Sequence, residues 1–476
     1  MAAVDPLGPA ADVGLLSPVW AAGTVAETTS DRAVLGHLLE VEAAWVDVLA
    51  RRGLASAAEA EQVRSACDPA EYDPAEIARA AQGGGNPLIP TLRALRTRLP
   101  AGAAATVHRG VTSQDVVDTA LMLMVARAAG DLTADLRAAV GSLSRLALTH
   151  RTTPMVARSL TQHSLPSTFG LRAATWLDGL AQATRRLERA TTDLPIQWGG
   201  AAGTLASLAG HVERARRAGG LADEVTAFDL VEDLAAELGL SAPPAPWNTN
   251  RMAVTGVAAA LADVVAACGR IANDVLIAAR IEIGELSEPT APGRGGSSAM
   301  PHKQNPVLSV LVRSAALSAP GVLAQVHTAA GAADDDRPSG AWHAEWPALR
   351  QLLRLAGGAT ALTRELTAGL RVDEDRMRQN LGRTGPALVS ERLMAELAPV
   401  IDAAAGRPGA GRDAIHAVVD DALAGRGEFG ALLRAAVPAS VGDDRLAELC
   451  DPAGYTGEAA ALVDRIVAAH TDLAAD

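Results

Sequence analysis

The sequence predicts an all-α fold, and three observations support that prediction. Apolar side chains recur at spacings of three and four along most of the chain, which is the period of a helix face. Ala is abundant, whereas the β-branched and aromatic clusters that mark strands are few. With 3 Phe and 2 Tyr beside 7 Trp, the core must consist mainly of Ala, Leu and Val. Such small side chains suit closely packed helices.

Two segments of the middle region illustrate the pattern in chain order. The first follows Pro166 and places Phe169 and Trp176 on one face, with the proline near the start, where its missing N–H costs least. The second runs from Asn250 to about Glu288, and its apolar stripe continues without an internal proline. A periodic pattern of that length predicts a helix that spans a bundle. A further helix is predicted to start near Val307.

Breaks in this pattern divide the chain into three regions. We predict an N-terminal helical domain (1–111), a central helical-bundle domain (112–357) and a C-terminal helical domain (358–476). The second boundary follows the Gly357-Gly358 step. In the last region, the GxGxxG pattern at 425–430 follows a helical segment, whereas a dinucleotide site requires a strand there. We therefore reject a dinucleotide site there and interpret 406–411 and 425–427 as turns between shorter helices.

Composition limits the classes of function. The 476 residues include 42 Lys+Arg and 55 Asp+Glu, a net charge of −13, which argues against nucleic acid as the main partner, because duplex binding depends on basic side chains. The widely spaced Cys67, Cys268 and Cys450 argue against a disulfide framework or a cysteine-rich metal site. The chain start lacks the features of a secretory signal, and the most membrane-like stretch, 252–269, contains Asp263, so we expect no membrane span of about 20 uncharged residues. We therefore expect a cytoplasmic protein that does not bind a membrane.

The most informative segment runs from Gly296 to Pro306 and reads Gly-Ser-Ser-Ala-Met-Pro-His-Lys-Gln-Asn-Pro. On composition alone, a Gly/Ser linker is the favoured interpretation. A serine here becomes a base only if its alkoxide is stabilised by backbone N–H groups, a helix N-terminus or a cation such as Lys303. Every fixed position nevertheless matches GSSxMPxKxNP, and the segment therefore resembles the signature loop of the fumarase/aspartase superfamily.

Two further blocks resemble the same superfamily. The run from His108 to Thr119 is similar to its first characteristic region, and the run from Ser159 to Pro166 is similar to its second. The three blocks stand in family order. The resemblance implies a three-domain fumarase/aspartase-like fold, in which a central long-helix bundle forms the twenty-helix core of a homotetramer. It also implies that residues of three subunits assemble each site, that the substrate is a small polycarboxylate, and that no cofactor or metal takes part.

The resemblance further implies a reaction. Members abstract a proton next to a carboxylate and pass through an aci-carboxylate, which the site must stabilise better than it stabilises the substrate. Ser297 matches the position of the family's base, with Ser298 beside it. Lys303 and Asn305 match its carboxylate clamp, which combines one cation with one amide donor.

The other two blocks supply the remaining groups. By position, Thr112 and Ser113 are hydroxyl donors to a substrate carboxylate, and Gln162 and His163 provide an amide and an imidazole near the leaving group. Outside the matched blocks, a histidine like His163 is more often a core residue. Thr112 and Ser113, followed by Asp115, also suit a helix N-cap, and capping can coexist with binding.

Three more residues are candidates for substrate binding, and each could instead have a structural role. His108 could contact substrate or shape the helix start. Arg251 could bind a distal carboxylate or form an interdomain ion pair. Asn86 is a weaker candidate on a loop. The run 334–336 of three aspartates suggests a metal only weakly, because adjacent carboxylates point in different directions.

Several segments resemble one branch, the bacterial 3-carboxy-cis,cis-muconate cycloisomerases; they include the Thr-Ser-Gln-Asp spelling of the first block and the run from Trp247 to Arg251. Two departures stand out: Arg109 replaces the usual Trp, and 333–337 differs from a Gln-Glu-His-Glu-Arg-like stretch. Because of these departures, a second function remains an alternative: a lyase that releases fumarate from nitrosuccinate or, less favoured, from an adenylosuccinate-type substrate. A silent helical scaffold is the third alternative, and the intact set of predicted catalytic residues argues against it.

Overall fold

The chain is mostly helical, as predicted. The computed structural model describes residues 13–21, 23–222, 224–296, 300 and 302–474. Ser297 and Ser298 therefore lie outside the described residues. Along the described chain the helices are α1 (Thr24–Thr28), α2 (Asp31–Arg51), α3 (Ala57–Ala66), α4 (Pro74–Ala81), α5 (Leu88–Thr97), α6 (Ala101–Thr106), α7 (Ser113–Thr149), α8 (Phe169–Thr192), α9 (Ala206–Arg217), α10 (Ala227–Leu238), α11 (Met252–Ala278), α12 (Val307–Gly331), α13 (Ala341–Gly369), α14 (Glu374–Thr384), α15 (Ser390–Ala405), α16 (Ala410–Leu423), α17 (Phe429–Ala436), α18 (Asp443–Cys450), α19 (Ala459–Ala468) and α20 (Thr471–Ala474).

Short strands and 3₁₀ turns complete the secondary structure. The antiparallel strands are β1 (Pro154–Ser159) with β2 (Gln162–Thr168), and β3 (Leu286–Ser287) with β4 (Arg371–Val372). The 3₁₀ helices are Pro69–Glu71, Gly385–Val389 and Pro452–Gly454. The helical periodicity of the sequence did not predict either strand pair.

The described residues form two compact units. The first comprises those of Met1–Leu136, Gln182–Gly269 and Val310–Thr363, and the second those of Arg137–Ala181, Arg270–Ser309 and Arg364–Asp476. Each unit is thus built from three separate stretches of chain. The division into domains 1–111, 112–357 and 358–476 stays a prediction.

Helices of the first unit pack through small side chains, as the composition predicts. Gly269 on α11 lies so close to α12 that an added Cβ would overlap the Cβ of Ala316. Elsewhere in this unit the buried rings of Trp45 and Trp198 pack with their centroids 4.9 Å apart. Trp198 directly precedes the Gly199-Gly200 turn, so its burial anchors that turn to α2.

The second unit has its own apolar core. In its C-terminal part, buried side chains of α15, α16 and α17 pack together, among them Leu393, Ile415 and Phe429. The predicted turn at 425–427 lies between α16 and α17, and the one at 406–411 begins after α15 but ends inside α16. Gly425 has φ +70° directly after α16, a conformation that glycine adopts without steric cost.

The expected helix break at Gly357-Gly358 is wrong, because both glycines lie inside α13. An added Cβ at Gly357 would come within 2.6 Å of Val25, and one at Gly358 would overlap the backbone of Val19. The two glycines therefore allow the N-terminal segment to pack directly on α13, and their role is close approach of two chain segments.

The helix predicted from Asn250 to about Glu288 is present but shorter. It ends at Ala278, and the chain turns through Gly284, which has φ +67°. Leu286 and Ser287 then pair with β4. Apolar residues recur past Ala278, but they are interspersed with charged residues, and Leu286 of β3 is buried whereas Ser287 is exposed. The predicted helix after Pro166 and the predicted start at Val307 agree with α8 and α12.

Two helices, α11 and α12, are long and apolar enough to cross a membrane by length and composition alone. The expectation that no span of about 20 uncharged residues occurs is wrong, because 314–333, mostly in α12, contains no Asp, Glu, Lys or Arg. In α11, 56% of the most apolar window is buried within the protein, whereas in α12 only 28% is buried. Helix α12 exposes Val310 by 49% and Leu317 by 74%, so it has an apolar face that its own chain leaves uncovered.

Candidate active site

Thr112 and Ser113 stand at the start of α7, as the sequence predicts, and the buried carboxylate of Asp115 fixes their position. Asp115 accepts hydrogen bonds at 2.9 Å from the backbone N–H groups of Thr112, Gly199 and Gly200. The side-chain amide of Gln197 adds a fourth bond at 3.1 Å. Burial raises the pKa of Asp115 to about 6, against these donors, which lower it. The carboxylate thereby ties the helix start to the Gly199-Gly200 turn.

Arg337 adds a cation to this hydroxyl pair. Its Nη2 donates to Oγ1 of Thr112 at 2.5 Å. The preceding residues hold it in place, because the side-chain amide of Asn248 donates to the carbonyl of Asp336 at 3.3 Å. Asp334 instead accepts from the backbone N–H and hydroxyl of Ser339, which lower its pKa. The segment 333–337, which the sequence singled out as a departure, therefore brings a guanidinium to Thr112.

Replacing Arg337 with glutamine is expected to raise KM about 10-fold or more while kcat changes less. A hydrogen bond from a charged group contributes about 1.5–3 kcal/mol, and this guanidinium adjoins the proposed carboxylate subsite. Steady-state kinetics of Arg337→Gln measure the effect. The control is Arg217→Gln, because Arg217 is 76% exposed and pairs with Glu213. An unchanged KM would place Arg337 outside the substrate subsite.

Arg251 is buried between two carboxylates. Its guanidinium bonds to Asp118 at 2.7 and 3.0 Å and to Glu345 at 2.5 and 3.1 Å. Trp342 also donates its indole N–H to Asp118 at 2.8 Å, and the guanidinium lies over the ring of Trp247 at 4.6 Å. Burial works against the charge of Arg251, but both carboxylates outweigh it and raise its pKa. This geometry favours the ion-pair alternative over a substrate role.

Asn86 and His108 lie in two loops of the same unit. The Oδ1 of Asn86 accepts from the N–H of Leu88 at 3.1 Å, and its amide donates to Gly84 at 3.3 Å. Asn86 therefore bonds to the backbone on both sides of Pro87, just before α5. His108 has φ +61° and packs against the buried Glu42, four residues before Thr112.

Gln162 and His163 belong to the β1–β2 hairpin of the second unit. Two residues form its turn, Leu160 with φ +47° and Thr161 with φ +71°. Non-glycine residues rarely adopt this conformation, and here they place the exposed Gln162 next to the tip. The Nδ1 of His163 lies 2.8 Å from the hydroxyl of Thr384. Both groups are thus presented from a tight, strained turn.

The environment of His163 favours its neutral form. Burial and the nearby Arg158 and Arg383 lower the pKa of its imidazole, while Glu285 opposes them. Arg158 and Glu285 form a salt bridge with nitrogen–oxygen distances of 2.6 and 2.9 Å. A neutral imidazole can accept a proton or orient a water.

Removing the charge of Arg383 is expected to raise the pKa of His163, because a nearby cation disfavours the imidazolium. The pH–rate limb that disappears in His163→Gln reports this group. In the native protein its midpoint should lie below about 6.5, and in Arg383→Gln it should move to higher pH. Arg378→Gln is the matched control, since Arg378 lies on the same helix and pairs with the exposed Asp375. A limb that stays in place would contradict the assignment.

The signature loop is closed at its base. Asn305 donates its backbone N–H and its side-chain amide to the carbonyl of Gly295, at 2.9 and 3.1 Å. Gly296 pairs with Gln304 across a β-bridge. The buried carboxylate of Glu288 accepts from the first N–H groups of α12, that of Ser309 at 2.7 Å. This fixes the helix that follows the loop.

Lys303 is exposed on this loop, and among the described residues no ion pair of its ammonium occurs. Ser297 and Ser298, which the sequence places between the two ends of the bridge, lie outside the described residues. The described part of the loop thus carries an exposed cation at Lys303.

The structure sorts the predicted residues into two groups. The first unit carries Asn86, His108, Thr112, Ser113 and Arg251, and the second carries Gln162, His163, Lys303 and Asn305. Sequence reasoning missed the groups that contact them, namely Glu42, Arg337 and Thr384. Only Arg337 had a signal in the sequence, because it ends the stretch that departs from the pattern.

Comparison with known proteins agrees with the resemblance along the whole chain. A protein family described as Lyase matches residues 24–321. A relative from Streptomyces davaonensis, named nitrosuccinate lyase, is 45% identical over 96% of this chain and 94% of its own length. A relative from Bradyrhizobium diazoefficiens, named 3-carboxy-cis,cis-muconate cycloisomerase, is 39% identical over 95% of this chain and 97% of its own length. The crystal structure of 3-carboxy-cis,cis-muconate lactonizing enzyme from Pseudomonas putida has a TM-score of 0.86 at 31% identity, covering 97% of this chain and 100% of that chain.

Proposed function

This chain belongs to the fumarase/aspartase superfamily, and on that premise we propose that it is a cofactor-independent cycloisomerase that interconverts 3-carboxy-cis,cis-muconate and carboxymuconolactone. The observation that carries the proposal is its likeness, in sequence and in fold, to enzymes named for that substrate. The reaction would serve the breakdown of aromatic acids in the cytoplasm.

The proposed chemistry combines the base predicted from the sequence with groups that the structure describes. In the lactone-opening direction, Ser297 takes the proton from the carbon next to a carboxylate, and the electrons move into that carboxylate. Lys303 and Asn305 stabilise the resulting dianion, which is the form that needs cationic and amide donors most. The carbon–oxygen bond of the lactone then breaks. In the opposite direction the substrate's own carboxylate adds to the double bond.

The remaining groups orient the substrate. Thr112 and Ser113, fixed by Asp115, donate to a second carboxylate, and α7 adds the positive end of its dipole there. Gln162 and His163 act on the leaving-group side, where the neutral imidazole can orient a water or accept a proton. Each of these roles rests on position in the superfamily's motifs and on the geometry around each residue.

A second candidate is a lyase that releases fumarate from nitrosuccinate. The observation that favours it is the identity of 45% to the relative named nitrosuccinate lyase, compared with 39% to the cycloisomerase relative. The same base and carboxylate clamp serve both reactions, because both remove a proton next to a carboxylate. The substituted residues Arg109 and 333–337 are consistent with a changed leaving group.

One experiment separates the two candidates. Purified protein is incubated with 3-carboxy-cis,cis-muconate and, separately, with nitrosuccinate, and kcat/KM is measured for each. Loss of muconate absorbance supports the first candidate, and release of fumarate together with nitrite supports the second. Turnover of neither substrate would overturn both assignments.

We also propose that the protein is a homotetramer whose sites are shared between subunits. The support is α12, whose apolar face is largely uncovered in one chain although it matches the composition of a core helix. In a homo-oligomer with a symmetric core, helices of other copies of the same chain would cover this face. Size-exclusion chromatography with light scattering should give four times the monomer mass. A stable monomer that retains activity would contradict the proposal.

A further inference from the structure

The buried carboxylate of Glu42 holds His108 at two points. Its Oε2 accepts the backbone N–H of His108 at 2.9 Å, and its Oε1 lies 2.8 Å from Nδ1 of the imidazole. The Glu42 side chain is 0% exposed and that of His108 is 15% exposed. One side chain of α2 therefore controls both the backbone and the ring of a residue 66 positions later in the chain.

The backbone of His108 needs this support. Its φ of +61° lies in the left-handed region, which residues with a Cβ adopt at a cost. A hydrogen bond from an N–H to a carboxylate is stronger than one to a neutral acceptor, and it can hold the backbone in this conformation. Glu42 thus stabilises the turn at His108 that leads to Thr112.

The same contact determines which ring nitrogen carries the proton. A carboxylate only accepts hydrogen bonds, so Nδ1 of His108 must be the protonated nitrogen. Nε2 is then the variable nitrogen, with a lone pair in the neutral ring and a proton in the cation. Among the described residues, Nε2 makes no hydrogen bond. Nε2 is therefore the ring nitrogen that is available to form a hydrogen bond with a substrate.

We propose that Glu42 is a positioning residue of the active site, which fixes the turn and the Nδ1–H tautomer of His108 so that Nε2 faces a polycarboxylate substrate. The inference deepens the proposed function and rests on it for the identity of the substrate. The tautomer itself can be measured without any substrate.

Glu42→Gln provides the sharpest test. Glutamine keeps the size of the side chain, and its oxygen can still accept from the backbone N–H of His108. Its amide can only donate to Nδ1, and the proton of the neutral ring must then move to Nε2. Ring ¹⁵N shifts of histidine-labelled protein, with the His108 signals assigned by their absence in His108→Asn, should show Nδ1–H in the native protein and Nε2–H in Glu42→Gln.

The control is Glu40→Gln, which makes the same chemical change two residues away on a carboxylate that bonds to Arg127. It should leave the His108 signals and turnover unchanged. An Nε2–H tautomer in the native protein, or unchanged signals in Glu42→Gln, would overturn the proposal. The native measurement stands even if Glu42→Gln fails to fold.

Kinetics distinguish positioning from general support of the fold. On the substrate that the native protein turns over, Glu42→Gln should lower kcat/KM about 10- to 100-fold, the usual effect of removing a group that orients a site residue. In the double variant with His108→Asn, activity should fall no further than in His108→Asn alone, because Glu42 acts through His108. Additive losses would refute that route. If neither proposed substrate is turned over, the proposed function fails while the tautomer result still decides the role of Glu42.

Discussion

Ser297→Ala is expected to lower kcat by about 10²- to 10⁴-fold, the range that a positioned base contributes. The proton next to a carboxylate is too weakly acidic to leave without a base, and the alanine side chain has no oxygen to accept it. Substrate binding should persist, because Lys303 and Asn305 remain to hold the carboxylate. Steady-state kinetics and a separate binding titration measure the two effects.

Ser298→Ala is the matched control for this prediction, since it removes the same hydroxyl one residue away. It should retain far more activity than Ser297→Ala. Both variants should keep the oligomeric state and the thermal unfolding midpoint of the native protein, because each loses only one hydroxyl. Undiminished turnover of the true substrate by Ser297→Ala would mean that another group is the base.

The helices that could be predicted are those with local signals at their ends. The Asn305-Pro306 pair directly precedes α12, whereas Pro166 lies in β2 and α8 begins three residues later. The end of α11 could not be predicted, because isolated apolar residues recur after it and Leu286–Ser287 pair as β3 with β4, about 85 residues later in the chain. Such pairing leaves no trace in local periodicity.

Gly357 and Gly358 show the opposite error. Consecutive glycines usually interrupt a helix, and the sequence alone favoured a break there. The helix continues because the glycines make room for Val19 and Val25, and tertiary packing thereby outweighs their low helix propensity. The contact joins residues more than 300 positions apart, so no window of sequence contains it.

The candidate site also contains residues that the sequence could predict and residues that it could not. Its motif residues could be found, because the superfamily spells each block with a fixed spacing. The groups that orient them could not: Glu42 is 66 residues from His108, and Thr384 is 221 residues from His163. The role of Arg251 could not be decided from its residue type, because only the structure reveals that its guanidinium is already paired with two buried carboxylates.

Arg251→Met is expected to lower the free energy of unfolding by about 3–5 kcal/mol, the usual loss when one member of a buried ion pair is removed. Methionine fills much of the volume but cannot neutralise Asp118 and Glu345, which are 0% and 1% exposed. These carboxylates would face each other without a cation in a region of low dielectric. Chemical denaturation monitored by circular dichroism measures the loss.

The effect of pH on this variant has a definite sign. Burial already raises the pKa of Glu345 in the native protein, and without Arg251 this carboxyl group would hold its proton to higher pH still. A group whose pKa is higher in the folded than in the unfolded state stabilises the fold at low pH and loses that effect as pH rises. The deficit of Arg251→Met should therefore shrink from about pH 8 to about pH 5.

Two comparisons test whether uncompensated charge is the cause of this deficit. Adding Asp118→Asn and Glu345→Gln to Arg251→Met removes both charges and should recover much of the loss, since a buried triad without charge has no unpaired ion to desolvate. Arg186→Met breaks an exposed pair with Asp263 and should cost less than about 1 kcal/mol. If Arg251→Met lowered the free energy of unfolding no more than Arg186→Met, the buried ion pairs would not stabilise the fold. A substrate role for Arg251 would then again be the better interpretation.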